Sequence, residues 1–199
     1  MAVELWAARL ERPLTEREAA AMLALLPEER RARVLAMKAE EKRREPLCAY
    51  TLLLLALRQR WGLRRLPEMA KGAYGKPFFP ERPEIHFNLS HTGGAVLVGV
   101  GDAPLGVDIE RIRPVSLRTM RRLAGVDTEE AFFQCWVRRE ARTKRTGTGV
   151  STMMREETPL QPGERYYEVR TFPGYAAGGA TREKDPLGKL YAYSLEEML

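Results

Sequence analysis

The sequence has few of the features that mark secreted, membrane-spanning or zinc-binding proteins. Its 199 residues include two cysteines, too few for a disulfide framework and without the spacing of a zinc site. The longest apolar run, residues 52–57, is far shorter than the ~18 residues that a membrane span requires. The first residues, Met-Ala-Val-Glu-Leu-Trp, lack the basic and apolar regions of a signal peptide. We therefore expect a cytoplasmic protein.

Positive charge is distributed unevenly along the chain. The 33 Lys and Arg residues exceed the 27 Asp and Glu residues by six, and residues 30–65 alone contain eleven basic residues and three acids. Such a bias indicates an anionic partner, which is a nucleic acid, a phosphorylated small molecule or an acidic protein. The alternative is an ordinary solvated helix surface.

Two acids stand close together in the apolar stretch of residues 105–110, Leu-Gly-Val-Asp-Ile-Glu. Side chains alternate along a β-strand, so Asp108 and Glu110 share one face while Val107 and Ile109 point into a core. A buried charge is costly unless it is paired or bound to metal. The pattern therefore indicates that the two carboxylates need a cation, unless they are simply solvated acids at the end of a strand.

A second segment, residues 136–144, has helical spacing and adds a third acid. Glu140 and Lys144 are four residues apart and share a helix face. Carboxylate oxygens suit Mg²⁺ or Mn²⁺, and Mg²⁺ is commonly held by carboxylates together with substrate phosphates. The strand and the helix together predict such a site, with Lys144 placed to neutralise a phosphate.

Hydrophobic periodicity predicts a mixture of helices and short strands. A capping box at Thr15 and Glu18 begins the first helix, and further helices are predicted over residues 30–42, 47–61, 116–123 and 128–146. Strands are predicted over residues 3–8, 84–89, 95–101, 105–110, 164–171, 174–181 and 189–193. A capping pattern over residues 194–197 predicts a closing helical turn. We find no low-complexity tract and no repeat of fixed period.

The polar residues 90–94, Ser-His-Thr-Gly-Gly, are predicted to form a turn between two strands. Side chains and backbone N–H groups of such a turn are able to receive a phosphate. A lone histidine is also often structural, and both interpretations of His91 remain open at this point.

Four segments, taken in order and with their approximate spacing, resemble the 4′-phosphopantetheinyl transferases of the Sfp type. They are Gly75-Lys76-Pro77, Phe87-Asn88-Leu89-Ser90-His91, Gly106-Val107-Asp108-Ile109-Glu110 and Trp136-x-x-Arg139-Glu140-Ala-x-x-Lys144. Residues 27–30 resemble the family's first basic helix, and residues 173–175 and 194–197 resemble its last strands and tail. The resemblance covers nearly the whole chain.

The resemblance implies both an architecture and an activity. The fold expected is α/β (α+β), a pseudo-dimer of two similar subdomains, residues 1–106 and 107–199, each a short, mainly antiparallel sheet packed with helices. Coenzyme A is held in the cleft between them. The reaction implied is Mg²⁺-dependent transfer of the phosphopantetheine arm to a serine of an acidic acyl or peptidyl carrier protein, with release of adenosine 3′,5′-bisphosphate. We expect a monomer that binds neither membrane nor nucleic acid.

The resemblance also assigns residues. Asp108, Glu110 and Glu140 match the metal-binding acids, and Lys144 matches a lysine that contacts the diphosphate. Further coenzyme A contacts, at the adenine nucleotide, the 3′-phosphate or the diphosphate, are matched by Arg44, Lys76, Pro77, Ser90 and His91. The chemistry itself asks for a base that takes the serine proton, and Glu140 is the candidate. Lys144 and His91 would add positive charge beside the leaving adenosine 3′,5′-bisphosphate.

The chain departs from the family pattern at three places. The lysine that usually precedes the helix acid is Arg139. The segment before the Trp helix is shortened, so that Asp127, Glu129 or Glu130 is left to replace a further family acid. Lysines of the first basic helix fall near Glu29 and Ala32. Two alternatives therefore stand beside the transferase, namely a coenzyme A-binding relative without activity and a basic nucleic-acid-binding protein.

Overall fold

Two antiparallel-rich sheets, each covered by a long helix, form the framework of the computed structural model, which describes residues 2–148 and 159–198. The described residues contain nine strands and five helices. In chain order they are β1 Val3–Arg9, α1 Glu16–Ala24, α2 Glu28–Leu35, α3 Arg44–Trp61, β2 Ala70–Lys71, β3 Pro77–Phe78, β4 His86–Thr92, β5 Ala95–Gly101, β6 Gly106–Arg111, α4 Leu117–Ala124, α5 Glu129–Thr146, β7 Glu164–Glu168, β8 Tyr175–Arg182 and β9 Leu187–Tyr193. This confirms the predicted mixed α/β architecture.

The first sheet has the strand order β4-β5-β1-β9 and packs against α3. β4, β5 and β1 are antiparallel to one another, whereas β9 is parallel to β1. Leu52, Leu53 and Leu57 of α3 are fully buried in one cluster with Trp6 and Phe87 of the sheet. The helix ends at Gly62, whose positive φ of 69° is the left-handed conformation that commonly terminates helices.

The second sheet has the order β6-β8-β7, with both pairings antiparallel, and α5 lies across it. Gly106 of β6 permits an unusually close approach of the helix. A Cβ atom at this position would stand 2.0 Å from the Ala141 carbonyl oxygen and 2.3 Å from the Arg145 nitrogen. Only a glycine allows the strand and α5 to pack at this separation.

The two sheets meet where β4 lies beside β6. The backbone N–H of Val107 donates to Asn88 Oδ1 over 2.8 Å, and the N–H of Ile109 donates to Ser90 Oγ over 3.3 Å. Polar side chains of β4 thus satisfy the β6 edge that is not paired with β8. The consequence is that Ser90 lies directly beside Asp108.

One predicted boundary on this junction is wrong. Ser90 and His91 are not in a turn, because β4 continues to Thr92 and only Gly93 and Gly94 turn the chain. Alternation explains the extension. Asn88 and Ser90 face β6, while the intervening side chains face α3, so the polar residues continue a strand rather than interrupt it.

The helix predicted over residues 30–42 is also shorter than expected. α2 ends at Leu35, and a separate 3₁₀ turn spans Glu40–Arg43. The Arg43 guanidinium donates to the carbonyls of Leu35 and Met37. These bonds satisfy the end of α2 and stop its continuation.

The capping predictions at the two ends of the chain are confirmed. Thr15 and Glu18 form a capping box at α1. Ser194 and Glu197 bond each other's backbone N–H at the closing 3₁₀ turn.

The predicted division into similar subdomains at residues 106 and 107 stays a prediction. The sheet composition follows that boundary except at β9, which returns to the first sheet and pairs with β1.

Candidate active site

Asp108 is at the centre of a buried polar cluster between β4, β6 and α5. Its side chain is only 5% exposed. Its Oδ1 accepts hydrogen bonds from Ser90 Oγ at 2.7 Å and from Lys144 Nζ at 2.6 Å. Lys144 Nζ also donates to Ser90 Oγ over 3.1 Å. The close packing of α5 on Gly106 is what brings the lysine to the strand.

The second oxygen of Asp108 is buried and has no hydrogen-bond partner within residues 2–148 and 159–198. Burial raises the pKa of Asp108, and the opposing charge of Lys144 only partly offsets that effect. A buried carboxylate oxygen without a partner is costly. It is the one carboxylate oxygen among the buried, unpartnered side-chain atoms of the described residues, and a cation beside it would be stabilising.

Glu110 follows on the same face of β6, nearer to solvent. Its Oε2 accepts from Thr92 Oγ1 at 3.2 Å and from the Arg113 guanidinium at 2.9 Å. Thr92 pairs with Glu110 just as Ser90, two residues earlier, pairs with Asp108. This repeat is expected because every second side chain of a strand faces the same side.

Glu140 contributes from α5, one turn before Lys144. Burial raises the pKa of Glu140, Lys144 opposes the rise, and the charges of Asp108 and Glu110 add to it. The three carboxylates are therefore near enough to interact electrostatically.

The donor set suits a hard divalent cation, although the site is not a closed cage. Carboxylate oxygens are the ligands that Mg²⁺ and Mn²⁺ prefer. In the described part of the chain no three Asp, Glu, His or Cys side chains already converge on a single point. The buried, unpartnered Oδ2 of Asp108 is the atom that fits such an ion. At present Lys144 supplies the counter-charge to this carboxylate.

Lys76 lies at one end of the β4–β6 junction. Its Nζ donates to the carbonyl oxygens of Leu105 at 2.9 Å and Arg145 at 3.0 Å, and burial lowers the pKa of Lys76 to about 8. Lys76 and Pro77 line a cleft of about 430 Å³. Other residues lining this cleft include Tyr74, Phe78, Phe79, His86 and Thr146.

His91 lies toward the other end of the junction, on the α3 side of β4. Its Nδ1 is 3.1 Å from Glu45 Oε2, and the Gly94 N–H donates to Glu45 Oε1 over 2.9 Å. Arg44 precedes Glu45 and donates to the Arg12 carbonyl oxygen over 3.1 Å. Of the residues predicted to contact coenzyme A, Ser90 and Lys144 bond Asp108, Lys76 and Pro77 line the cleft at one end of the junction, and His91 and Arg44 lie on its α3 side.

The residues that depart from the family pattern lie outside this cluster. Arg139 is buried and donates to the Leu123 carbonyl oxygen at the end of α4, over 2.6 Å. Asp127 is exposed and pairs with Arg121 at 2.7 Å. Glu130 is in the first turn of α5, ten residues and about 15 Å of helix before Glu140.

Sequence reasoning missed three residues of the site. Thr92 was detectable, because it follows Ser90 at strand spacing and so faces Glu110. Arg113 and Glu45 had no such signal. Glu45 in particular is 46 positions away from His91 and meets it only because α3 packs on β4.

The fold and the site define a class, namely a mixed α/β enzyme with a buried acid–lysine cluster suited to phosphate chemistry. Comparison with known proteins finds relatives that share one name. The chain is 26% identical over 155 residues to the 4′-phosphopantetheinyl transferase Sfp of Bacillus subtilis (strain 168), which covers 71% of this chain and 69% of that protein. It is 40% identical over 89 residues to the 4′-phosphopantetheinyl transferase psf-1 of Bacillus pumilus, covering 39% and 38%.

A third relative, the 4′-phosphopantetheinyl transferase gsp of Aneurinibacillus migulanus, is 30% identical over 131 residues, covering 53% of this chain and 54% of that protein. No family model matches the chain. The matches confirm the resemblance seen in the four motifs, because each of these relatives is named a 4′-phosphopantetheinyl transferase.

Proposed function

We propose that the protein transfers the 4′-phosphopantetheine arm of coenzyme A to a serine of an acyl or peptidyl carrier protein and releases adenosine 3′,5′-bisphosphate. The observation that carries the proposal is the buried Asp108, whose Oδ1 is held by Ser90 and Lys144 while its Oδ2 has no partner within the described residues. This cluster lies in a chain whose relatives are named 4′-phosphopantetheinyl transferases.

Asp108, Glu110 and Glu140 would hold Mg²⁺, with Mn²⁺ as the alternative. The bound ion would neutralise charge on the diphosphate of the donor, which is the main need of phosphoryl transfer. The fit rests on the carboxylate donor set and on the unpartnered oxygen of Asp108.

Glu140 is the proposed base for the serine hydroxyl. The serine oxygen forms a bond to the phosphorus next to pantetheine, the bond from that phosphorus to the adenosine bisphosphate breaks, and Glu140 takes the serine proton. A carboxylate that lies beside the reacting phosphate is the natural acceptor for the proton of the hydroxyl group. Lys144 and His91 add positive charge beside the leaving group.

The remaining proposed contacts hold the donor. Lys76 and Pro77 line a cleft with Tyr74 and Phe79, which suits a flat base and the phosphates attached to it. Ser90 and Lys144 lie toward the diphosphate, and Arg44 and His91 lie beyond the acids.

The carrier protein is proposed to be acidic, because the net charge of +6 would speed its encounter with a negatively charged partner. Both cysteines are free thiols, which supports the cytoplasm as the place of the reaction. No helix among the described residues is long and apolar enough to cross a membrane. We propose that the protein acts as a monomer.

The test is loading of several purified carrier proteins from labelled coenzyme A, with and without Mg²⁺. Loading that requires Mg²⁺ and is lost in Glu140→Gln is expected. Glu16→Gln is the control, because it removes the same charge from an exposed position in the first turn of α1 and should leave the rate intact.

Two other outcomes would point elsewhere. Tight binding of coenzyme A with no loading of any carrier at saturating Mg²⁺ identifies an inactive relative. Nucleic-acid binding with a steep salt dependence, in the absence of coenzyme A binding, identifies the basic nucleic-acid-binding protein.

A further inference from the structure

The carboxylate of Glu45 occupies a cluster of positive and hydrogen-bond-donating groups at the start of α3. Its Oε2 lies 3.1 Å from His91 Nδ1, and its Oε1 accepts the Gly94 N–H over 2.9 Å. Both carboxylate oxygens are therefore engaged. Arg44, the preceding residue, adds a positive charge that Glu45 senses.

The groups around Glu45 are those that usually receive a phosphate. The Thr92–Gly94 turn has φ values of 44° and 89° at Gly93 and Gly94, and its backbone N–H points outward to an anion. A Cβ atom on Gly94 would be 3.7 Å from an Arg44 guanidinium nitrogen. An imidazole and a backbone N–H thus contact one carboxylate, and a guanidinium lies beside the same turn.

The position already holds a negative charge. The hydrogen bond with His91 lowers the pKa of Glu45, burial opposes it, and the Gly94 N–H lowers it further. Glu45 is therefore ionised at neutral pH. A phosphate arriving here must displace Glu45 from two hydrogen bonds or lie beside a like charge, and either course is unfavourable.

We propose that the Glu45 carboxylate occupies the position that the 3′-phosphate of the adenine nucleotide would take. The protein therefore uses donors with and without a 3′-phosphate about equally well. The inference rests on the proposed function, in which the base of the donor lies in the Lys76–Pro77 cleft and a phosphate of the donor reaches Arg44 and His91. It makes Glu45 a specificity-determining residue. Glu29 and Ala32 stand where the family that this chain resembles has lysines. The absence of a positive charge at these two positions agrees with a weakened phosphate site.

The first experiment measures binding alone. Titration calorimetry compares coenzyme A with 3′-dephospho-coenzyme A, and adenosine 3′,5′-bisphosphate with adenosine 5′-monophosphate. The affinities within each pair should agree within about threefold. Glu45→Gln removes the like charge and its ion pair with His91, and a charge-assisted hydrogen bond from His91 is strong enough to raise the preference for the 3′-phosphorylated ligand at least about tenfold.

Glu41→Gln is the matched control, since it removes one exposed carboxylate from the 3₁₀ turn just before α3 and should leave the ratio unchanged. Gln retains an oxygen for the Gly94 N–H, and the melting temperature verifies that Glu45→Gln is folded. A wild-type protein that prefers the 3′-phosphorylated ligand more than tenfold overturns the inference. So does a ratio that does not change in Glu45→Gln, or a failure to bind any of the four ligands.

The second experiment repeats the comparison as carrier loading from the two donors. Similar kcat/KM values, with a shift toward coenzyme A in Glu45→Gln, support the inference. If neither donor loads a carrier while the binding ratios behave as expected, the proposed transfer fails and the role of Glu45 stands. If coenzyme A alone loads the carrier, the transfer stands and the role of Glu45 fails.

Discussion

Replacing Gly106 with alanine should separate α5 from β6 and dismantle the acid–lysine cluster. The added Cβ atom would lie 2.0 Å from the Ala141 carbonyl oxygen, about 1.4 Å short of the 3.4 Å at which ordinary contact begins. The obstacle is helix backbone, which has no rotamer with which to move aside. α5 must therefore move away from β6, and this movement lengthens the 2.6 Å contact between Lys144 Nζ and Asp108 Oδ1.

Two magnitudes follow from that displacement. Overpacking of this kind typically costs about 2 kcal/mol in the free energy of unfolding, which lowers the melting temperature of a chain of this size by about 4–8 °C. A misplacement of about 1 Å in a phosphoryl-transfer site costs about a hundredfold in rate. We expect Gly106→Ala to lose carrier loading by at least about that factor at temperatures where it is still folded.

The assay combines a thermal melt with carrier loading at 20 °C. Gly72→Ala is the matched control, because its Cβ would meet nothing nearer than 3.6 Å and its backbone is not in the left-handed region. A Gly106→Ala protein with an unchanged melting temperature and full activity would refute the claim that this glycine sets the separation of strand and helix.

Three further predictions concern buried groups. Asp108→Asn removes a buried charge, so the metal-free protein should melt at the same temperature or higher, whereas loading and any Mg²⁺-dependent rise in melting temperature should disappear. Burial raises the pKa of Glu164 and the Arg142 guanidinium lowers it, with a net lowering below 4.5. The contribution of ionised Glu164 to the free energy of unfolding is therefore present above pH 4.5 and is lost as the pH falls through the lower pKa that Glu164 has in the folded protein. Urea titrations should show that loss in the wild type but not in Glu164→Gln, which at pH 7 removes the carboxylate that pairs with the buried Arg142 and should cost about 3 kcal/mol or more. Burial raises the pKa of the Cys48 thiol to about 12, so a thiol reagent should modify Cys135 in the native protein and both cysteines only after denaturation.

Much of the local structure was predictable because it depends on neighbours in the sequence. The capping box of Thr15 and Glu18 and the stop at Gly62 follow from local backbone requirements. The shared face of Asp108 and Glu110 follows from strand periodicity alone. The same period explains the misplaced end of β4, since the polar Ser90 resembles a turn residue unless its partner strand is known.

The amino-acid sequence by itself determined which residues share a face of one strand or one helix, because residue types and their spacing within one element are local properties. Only the tertiary structure decided which of them meet. The approach of α5 over Gly106 joins Lys144 to Asp108, and the packing of α3 on β4 joins Glu45 to His91. Contacts between residues that are 36 and 46 positions apart depend on how elements pack, and hydrophobic periodicity carries no information about that separation or orientation.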